Sequence, residues 1–218
     1  HGIRTRSPEM EAVLETLATF STQARPILIC GETGTGKELL ARAAHELSSR
    51  RTGPFVVLNC AAIPRDLVES ELFGHVKGAF SGATQARRGL FREADGGTLL
   101  LDEIGELATE LQGKLLRVIE DSAVRPVGSD RPESVNVRLV AATNRDVGGS
   151  ACATTFRRDL YYRLAALRLD VPPLRDRPED IVPLAEHFLE SYCDEMGRPV
   201  PRFVPEALAL LAGHDWPG

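Results

Sequence analysis

Short apolar runs alternate with segments of helical periodicity over most of the chain. The runs are rich in aliphatic and β-branched residues and are predicted to be strands; they cover residues 27–30, 55–58, 98–101, 138–141 and 167–171. Strands that are apolar on both faces and separated by helices are typical of a parallel sheet with helices on each side. The pattern therefore predicts an α/β fold, with a parallel five-stranded sheet flanked by helices in residues 1–174.

Helices are predicted before, between and after these strands. A serine, a proline and an acid at residues 7–9 form a helix start, because serine caps the first turn and proline suits the first helical position. Helical periodicity also covers 64–73 and 107–120, and only amphipathic helical patterns occur from residue 177 onward. We expect residues 175–218 to begin a small helical unit that is truncated before its own end.

The bulk composition describes a soluble globular protein, with 43% hydrophobic and 26% charged residues in 218. No apolar stretch approaches the roughly 18 residues of a membrane span, and the start lacks a secretory segment, so we expect a cytoplasmic protein with no membrane partner. The net charge of −5 argues against nucleic-acid binding by general electrostatics. The cysteines form no C-x-x-C pair and are expected to be free thiols: Cys30, Cys60, Cys152 and Cys193.

A glycine-rich segment between the first strand and a helix is the first candidate site. Its three glycines let the backbone wrap a phosphate chain at a helix amino terminus, and Lys37 can reach the terminal phosphates. Glu38 stands where a magnesium-holding serine or threonine is expected. A simple glycine turn is the alternative, but the flanking strand and helix favour a nucleoside triphosphate site. The segment comprises Gly31, Glu32, Thr33, Gly34, Thr35, Gly36, Lys37 and Glu38.

Polar residues follow two further predicted strands. Asp102 and Glu103 end the third strand, where Asp102 can hold the magnesium of a nucleotide and Glu103 can orient or deprotonate a water molecule. Thr143 and Asn144 end the fourth strand and can bind the γ-phosphate or the attacking water. Helix-starting acids and a turn-forming asparagine are the alternatives. The phosphate-binding segment upstream favours the catalytic interpretation for both pairs.

An arginine-rich segment, residues 156–164, is predicted to lie on a helix. Its arginines can be solvated or paired, for instance Arg158 with Asp159. The sharper hypothesis is that Arg157 and Arg163 reach the nucleotide of a neighbouring subunit as arginine fingers.

Residues 74–89 are rich in glycine, alanine and short polar residues, with one aromatic residue, Phe80. A ring tucked into the core is the alternative. Because Phe80 lies between Gly78 and Gly82, outside any helical or strand period, a contact with a partner protein is favoured. The candidate partner-binding residues are Gly78, Ala79, Phe80, Ser81, Gly82 and Ala83.

Together these motifs resemble the central AAA+ domain of bacterial enhancer-binding proteins, which activate sigma-54 RNA polymerase. The resemblance covers residues 2–218. Its motifs are the phosphate-binding segment, residues 58–62, 71–75, 78–83 and 156–164, and the Asp102-Glu103 strand. The most discriminating motif is the Gly-Ala-Phe-Thr-Gly-Ala loop, in which this chain has Ser81 in place of threonine.

The resemblance implies an AAA+ P-loop NTPase fold with an all-α lid. It also implies ring-shaped homo-oligomers, usually hexamers, that hydrolyse ATP bound with Mg²⁺ between subunits. Lys37 would contact the β- and γ-phosphates, Asp102 the magnesium and Glu103 the water. Asn59 would hold Glu103 in one nucleotide state and release it in another.

For the remaining motifs, the resemblance implies that Thr143 and Asn144 sense the nucleotide and that Arg157 and Arg163 act in trans. The 78–83 loop would press on the sigma-54 RNA polymerase holoenzyme, supported by a second surface loop around residues 128–133. DNA would be bound only through a C-terminal domain outside this sequence.

Two other functions remain open at this point. Ser81 leaves room for an AAA+ ATPase that acts on a protein target other than sigma-54. A binding module that uses nucleotide only to assemble is the second alternative. Glu103 and Asn144 argue against it, because neither is needed merely to hold ATP.

Overall fold

A computed structural model describes residues 2–149 and 155–217 of the chain. The main sheet has five strands, all parallel, in the order β2-β3-β6-β1-β7. This confirms the predicted fold class. In chain order the strands are β1 (Ile27–Cys30), β2 (Phe55–Asn59), β3 (Thr98–Asp102), β4 (Ala123–Val124), β5 (Glu133–Ser134), β6 (Arg138–Thr143) and β7 (Leu167–Asp170).

Helices cover both faces of the sheet, and two further helices follow it. They are α1 (Pro8–Ser21), α2 (Lys37–Glu46), α3 (Arg65–Phe73), α4 (Leu90–Glu93), α5 (Thr109–Asp121), α6 (Arg158–Leu164), α7 (Ile181–Glu195) and α8 (Pro205–Ala212). Ser7 caps α1 by accepting from the Met10 N–H, as its sequence predicts. The helices α7 and α8 confirm the predicted helical unit.

Alternation along the strands explains why they are apolar throughout. Ile27 and Ile29 of β1 pack with α1 and α2 on one face, whereas Leu28 packs with α3, α5 and α6 on the other. Both faces are therefore buried. Residues at the carboxyl ends of the strands are left as the accessible edge of the sheet, where ligands bind in folds of this kind.

One local prediction is corrected by the structure. The helix expected over 156–164 begins only at Arg158, because Phe156 is buried in the core and Arg157 is the extended residue that precedes the first turn. The second surface loop lies where it was expected, and the structure adds that it joins the two strands of a small antiparallel hairpin, β4 and β5. Each of these strands has two residues, which is too few to show the alternation of apolar and polar positions by which a strand is recognised in a sequence.

Arg138 lies buried at the start of β6 and joins two helix ends to the sheet. Its guanidinium donates to the carbonyls of Phe20 and Ser21 at the end of α1, at 2.9 and 3.0 Å, and to Ala44 in α2 at 3.4 Å. Burial, together with the nearby Arg50, lowers the pKa of Arg138. A buried arginine is usually paired with a carboxylate. Here the guanidinium is stabilised by the partial negative charge of carbonyl groups at the ends of two helices.

Cys30, Cys60 and Cys193 are free thiols, as predicted, while Cys152 lies outside the described residues. Burial raises the pKa of Cys30 to about 11 and that of Cys60 to about 12, so both thiols stay protonated at neutral pH. Across 2–149 and 155–217, no helix is long and apolar enough to cross a membrane.

Candidate nucleotide site

The glycine-rich segment, residues 31–38, forms a loop from the end of β1 into the start of α2 at the carboxyl edge of the sheet, and it is called the P-loop below. Gly34 and Gly36 adopt φ of 77° and 95°, which favour glycine, and Gly36 precedes α2 without a side-chain cap. Gly31 is needed for space, because a Cβ there would approach Val171 within 3.1 Å. The first N–H groups of α2 have no partner within the helix, so they face outward as an anion site.

Lys37 is folded into this loop. Only 7% of the residue is exposed, and its ammonium donates to the carbonyls of Gly31 and Glu32 at 3.0 Å each. The Nζ atom also lies 3.7 Å from Oε1 of Glu103. The fold thus brings the first residue of α2 against the acid that follows β3.

Glu103 follows β3 in a left-handed conformation, with φ of 49° and ψ of 48°. Non-glycine residues adopt this conformation at an energetic cost, which is commonly retained at functional sites. Here it directs the carboxylate toward Lys37 and toward the Asn144 N–H, which lies 3.3 Å from Oε2. Asp102 turns differently, since its Oδ1 accepts from the Glu103 N–H at 3.0 Å.

The Thr143-Asn144 pair divides into two roles. The Asn144 amide donates to the Thr33 hydroxyl at 3.1 Å, so this residue links the P-loop to Glu103. Thr143 is fully buried, and its hydroxyl accepts from the Arg145 N–H at 3.1 Å while its carbonyl accepts from Gly31. Of this pair, Asn144 is the residue whose side chain contacts the P-loop.

Asn59 lies beside the acid pair but contacts Asp102. Its amide donates to Oδ2 of Asp102 at 3.3 Å, and its Oδ1 accepts from the N–H groups of Ala61 and Ala62. The expected contact with Glu103 is therefore not formed in this conformation. Since Asn59 and Asp102 are direct neighbours in the β2-β3 register, the sheet itself sets this pairing.

Glu38, which replaces the expected serine or threonine, pairs with Arg42 one turn further along α2 at 3.5 Å. Both side chains lie on the exposed face of the helix. Glu38 therefore pairs along α2, and Asp102 is the carboxylate that the end of β3 places at the carboxyl edge of the sheet.

Three charged residues after β7 also contact this region, and the sequence reasoning missed them. Arg175 donates two hydrogen bonds to Glu32, and this contact lowers the pKa of the Glu32 carboxyl. Arg177 is buried, and its guanidinium donates to the Thr35 carbonyl at 3.1 Å. The same guanidinium lies 3.7 Å from the carboxylate of Asp180. The sequence around them, residues 174–180, is mostly charged and gives no local sign of these contacts, because the partners lie far away in the chain.

Asp180 extends this link to the start of the chain. Its buried carboxylate accepts from the hydroxyl of Thr5 and from the N–H groups of Arg6 and Ser7. The P-loop, the N-terminal segment and the helical unit are thereby held together around one cluster.

A largely apolar cavity of about 340 Å³ opens beside the P-loop. It is enclosed by the N-terminal segment, α2 and α7, with Ile3, Leu39, Ile181 and Phe188 in its wall and Gly34–Gly36 at one side. Its size and lining suit a flat heterocycle whose polar tail reaches the P-loop.

Within the part of the chain that the structure describes, neither predicted arginine finger bonds to the P-loop. Arg157 pairs with Asp159 at 2.7 Å, which corrects the proposed Arg158–Asp159 pair. Arg163 lines a cavity of about 670 Å³ together with Arg25, Pro26 and Tyr162. Since residues 24–26 lead into β1, this cavity lies at the amino-terminal edge of the sheet, opposite the P-loop.

The 78–83 loop forms a compact turn. The Gly78 N–H donates to the Ala83 carbonyl at 2.8 Å, and the Ala83 N–H donates to the Phe80 carbonyl at 3.0 Å. The Phe80 side chain is 43% exposed, whereas Ala83 is buried. The hairpin packs against the base of this loop, because the Val76 N–H donates to the Val127 carbonyl at 3.1 Å.

Comparison with known proteins assigns these features to one family. Residues 3–170 match the Sigma-54 interaction domain, and residues 175–218 match the AAA+ ATPase lid domain. The DNA-binding transcriptional activator HyfR of Escherichia coli K12 is 53% identical over 213 residues, which make up 98% of this chain and 32% of HyfR. The Sigma54-dependent transcriptional activator SfnR of Pseudomonas putida is 51% identical over 97% of this chain and 58% of its own length.

Among solved structures, NtrX from Brucella abortus in complex with ATP superposes with a TM-score of 0.92 at 36% identity. The match covers 99% of this chain and 47% of NtrX, so the chain spans only part of each of these relatives. The chain belongs to the Sigma-54 interaction domain family of AAA+ proteins, as its motifs predict.

Proposed function

We propose that this chain is the ATP-hydrolysing domain of a sigma-54-dependent transcriptional activator. Copies of it assemble into a ring, and the 78–83 loop of each copy uses the energy of hydrolysis to remodel sigma-54 RNA polymerase. The observation that carries the proposal is the meeting of Lys37, Glu103 and Asn144 at the P-loop. A module that merely holds nucleotide has no use for a strained acid joined to a sensor asparagine.

Within one subunit, the roles follow from position. Lys37 exchanges its bonds with the Gly31 and Glu32 carbonyls for phosphate oxygens and neutralises part of their charge. Glu103 orients a water molecule and accepts its proton, because its carboxylate lies between the lysine and the Asn144 N–H. Asn144 binds the γ-phosphate of ATP, and the apolar cavity beside the P-loop holds the adenine ring.

The donor set also suits a magnesium ion. Mg²⁺ commonly uses one or two carboxylates, together with phosphate oxygens and water. Asp102, at the end of β3 and held by Asn59, would supply that carboxylate. When bound, the ion would neutralise the charge that develops on the phosphates.

A second subunit is needed because Arg163 lies at the wrong edge of its own sheet. Extended chain from Pro26 to Gly31 spans roughly 16 Å, so Arg163 does not reach the P-loop of its own subunit. A head-to-tail arrangement of copies closes into a ring and places the amino-terminal edge of one sheet against the carboxyl edge of the next. Arg157 and Arg163 would then stabilise the transition state in trans.

The partner follows from the exposed loop and from the family. SfnR carries sigma-54 dependence in its name, and the matched family model is a sigma-54 interaction domain. Phe80 supplies a partly exposed aromatic ring at the tip of a compact turn, which is the kind of side chain that dominates binding energy at interfaces.

Turnover tests the shared site most directly. ATP hydrolysis per subunit should rise steeply with protein concentration, and Arg163→Ala should lower kcat about 10³-fold with nearly unchanged ATP affinity. Arg158→Ala is the matched control, an exposed arginine on the same helix, and should keep normal turnover. Normal hydrolysis by a dilute, monomeric Arg163→Ala protein would rule out action in trans.

Mixed assemblies sharpen this test. Arg163→Ala subunits and Glu103→Gln subunits are each inactive alone, but mixing them creates interfaces that combine an intact Glu103 with an intact Arg163. Recovery of part of the wild-type turnover is expected on mixing. No recovery in assemblies shown to be mixed would place both residues in one subunit's site.

Sigma-54 binding tests the partner separately. In the presence of ADP and aluminium fluoride, a mimic of the transition state, the chain should form a stable complex with sigma-54. ATP hydrolysis without such a complex would favour a different protein target, the alternative that Ser81 raises. Background hydrolysis at every concentration would instead favour the nucleotide-dependent assembly module.

A further inference from the structure

His75 lies at the base of the 78–83 loop and contacts both sides of it. Its Nδ1 lies 2.6 Å from the Ser70 hydroxyl on α3, and its Nε2 lies 2.9 Å from the Gln85 carbonyl on the returning segment. Its ring meets the ring of Phe80 edge to face, with centroids 5.0 Å apart. One side chain thus joins a helix, the far side of the loop and the aromatic tip.

Chemistry fixes the direction of these bonds. The Gln85 carbonyl can only accept, so Nε2 must carry a proton and donate. In the neutral ring Nδ1 then accepts from the Ser70 hydroxyl. The imidazole is satisfied at both nitrogens, which fixes the plane of the ring and therefore the edge that it presents to Phe80.

The backbone around His75 is paired as well. Its N–H donates to the Arg87 carbonyl at 3.0 Å, and the Arg87 N–H donates back at 2.9 Å. The loop thus leaves and re-enters the domain at a short ladder. Beyond this ladder, the loop is held by its own turn, by the bond from the Val76 N–H to the Val127 carbonyl and by the His75 ring.

The Ser70 bond connects this base to the nucleotide site. Ser70 is buried on α3, the helix that follows β2, and the end of β2 carries Asn59. Asn59 binds Asp102 and the N–H groups of Ala61 and Ala62, which precede α3. A displacement of α3 relative to the sheet would act on His75 directly.

We propose that His75 is a positioning residue that, anchored to α3 through Ser70, sets the place of Phe80 and the order of the 78–83 loop. The effect of His75 on sigma-54 binding rests on the proposed function. The anchoring of the loop by His75 can be measured without any partner.

Hydrogen exchange of the loop amides is the first test. His75→Ala should speed exchange in peptides covering 76–86 by roughly tenfold, and Ser70→Ala by roughly threefold, as expected for the loss of two bonds or one. Exchange in P-loop peptides should not change. Ser21→Ala is the matched control, since Ser21 is a buried serine on α1 whose hydroxyl bonds only within its helix.

Two further variants separate positioning from general stability. His75→Gln retains one acceptor and one donor and should exchange more slowly than His75→Ala. Adding Ser70→Ala to His75→Ala should have no further effect, because both remove the same bond. Loop exchange at the wild-type rate in His75→Ala, or equal acceleration in all peptides, would overturn the proposal.

Sigma-54 binding in the presence of ADP and aluminium fluoride is the second test. His75→Ala should weaken it about tenfold and Ser70→Ala less, in the same order as loop exchange. Wild-type affinity in a His75→Ala protein whose loop exchanges faster would also overturn the proposal. Failure of the wild-type chain to bind sigma-54 would instead reject the proposed function, while the exchange data would still decide whether His75 anchors the loop.

Discussion

The nucleotide site and the 78–83 loop use the chain in opposite ways. At the P-loop, Lys37 is almost fully buried and side chains from three strand ends meet within hydrogen-bonding or ion-pair distance. In the loop, Phe80 is partly exposed, and among the described residues its ring meets one other aromatic ring, that of His75. Chemistry on phosphate needs fixed geometry, whereas engagement of a partner needs an accessible aromatic side chain on a short tether.

The largest expected effect separates the two regions at the chemical step. Glu103→Gln should lower kcat for ATP about 10³-fold, because the amide cannot accept a proton from water, while ATP binding is retained. Measurement of turnover beside ATP affinity checks this. Glu106→Gln is the control, an acid three residues further on that pairs with Arg145 instead; equal losses in both variants would contradict the assignment.

A substitution far from both regions should lower the stability of the whole fold and should not act on one region alone. Arg138→Met should lower the free energy of unfolding by about 3 kcal/mol, since three helix-end carbonyls lose a charged donor. Urea denaturation measures this loss. Arg168→Met, which breaks an exposed pair with Asp170, should cost well under 1 kcal/mol. Similar stabilities of the two variants would show that the buried guanidinium contributes little.

Phe80→Ala should act on the loop alone. The complex with sigma-54 should weaken about 30-fold, which corresponds to roughly 2 kcal/mol for an aromatic hot spot, while ATP turnover stays near wild type. Leu67→Ala provides the control, because Leu67 is similarly exposed on α3. If Phe80→Ala binds sigma-54 normally, the loop has no role in recognition.

The smallest effect concerns the single departure from the family's loop motif. Ser81→Thr adds one methyl group and should strengthen sigma-54 binding by roughly two- to fourfold, as expected for burial of part or all of a methyl. Affinity measured beside Ser49→Thr, an exposed serine after α2, checks that the gain is local. Weaker binding of Ser81→Thr would indicate a partner surface matched to serine.

Much of the nucleotide site was predictable because its residues follow strands. A strand that ends in glycines or acids places them at the carboxyl edge of a parallel sheet, so the P-loop, Asp102, Glu103 and Asn144 could be expected to meet. Their individual contacts could not be predicted. Whether Asn59 binds Asp102 or Glu103 depends on side-chain torsions that the strand pattern does not fix.

Other contacts were missed because they join residues far apart in sequence. Arg177, Asp180 and Arg175 carry no local signal for the P-loop, since their partners lie about 140 or more residues away in the chain. Arg138 was included in an apolar run, and only the ends of α1 and α2 explain its burial. The bridge formed by His75 likewise requires α3 and the returning segment of the loop.

The sequence by itself determined the five strands of the main sheet, most of the helices and the phosphate-binding turn, because periodicity, capping residues and glycine backbone freedom act over a few neighbouring residues. The tertiary structure alone decided three further features. It placed Arg163 at the edge opposite the P-loop, buried Lys37 beside Glu103 and anchored the Phe80 loop through His75. Each depends on how the parallel strands and their covering helices are ordered in space, and that order is a property of long-range packing.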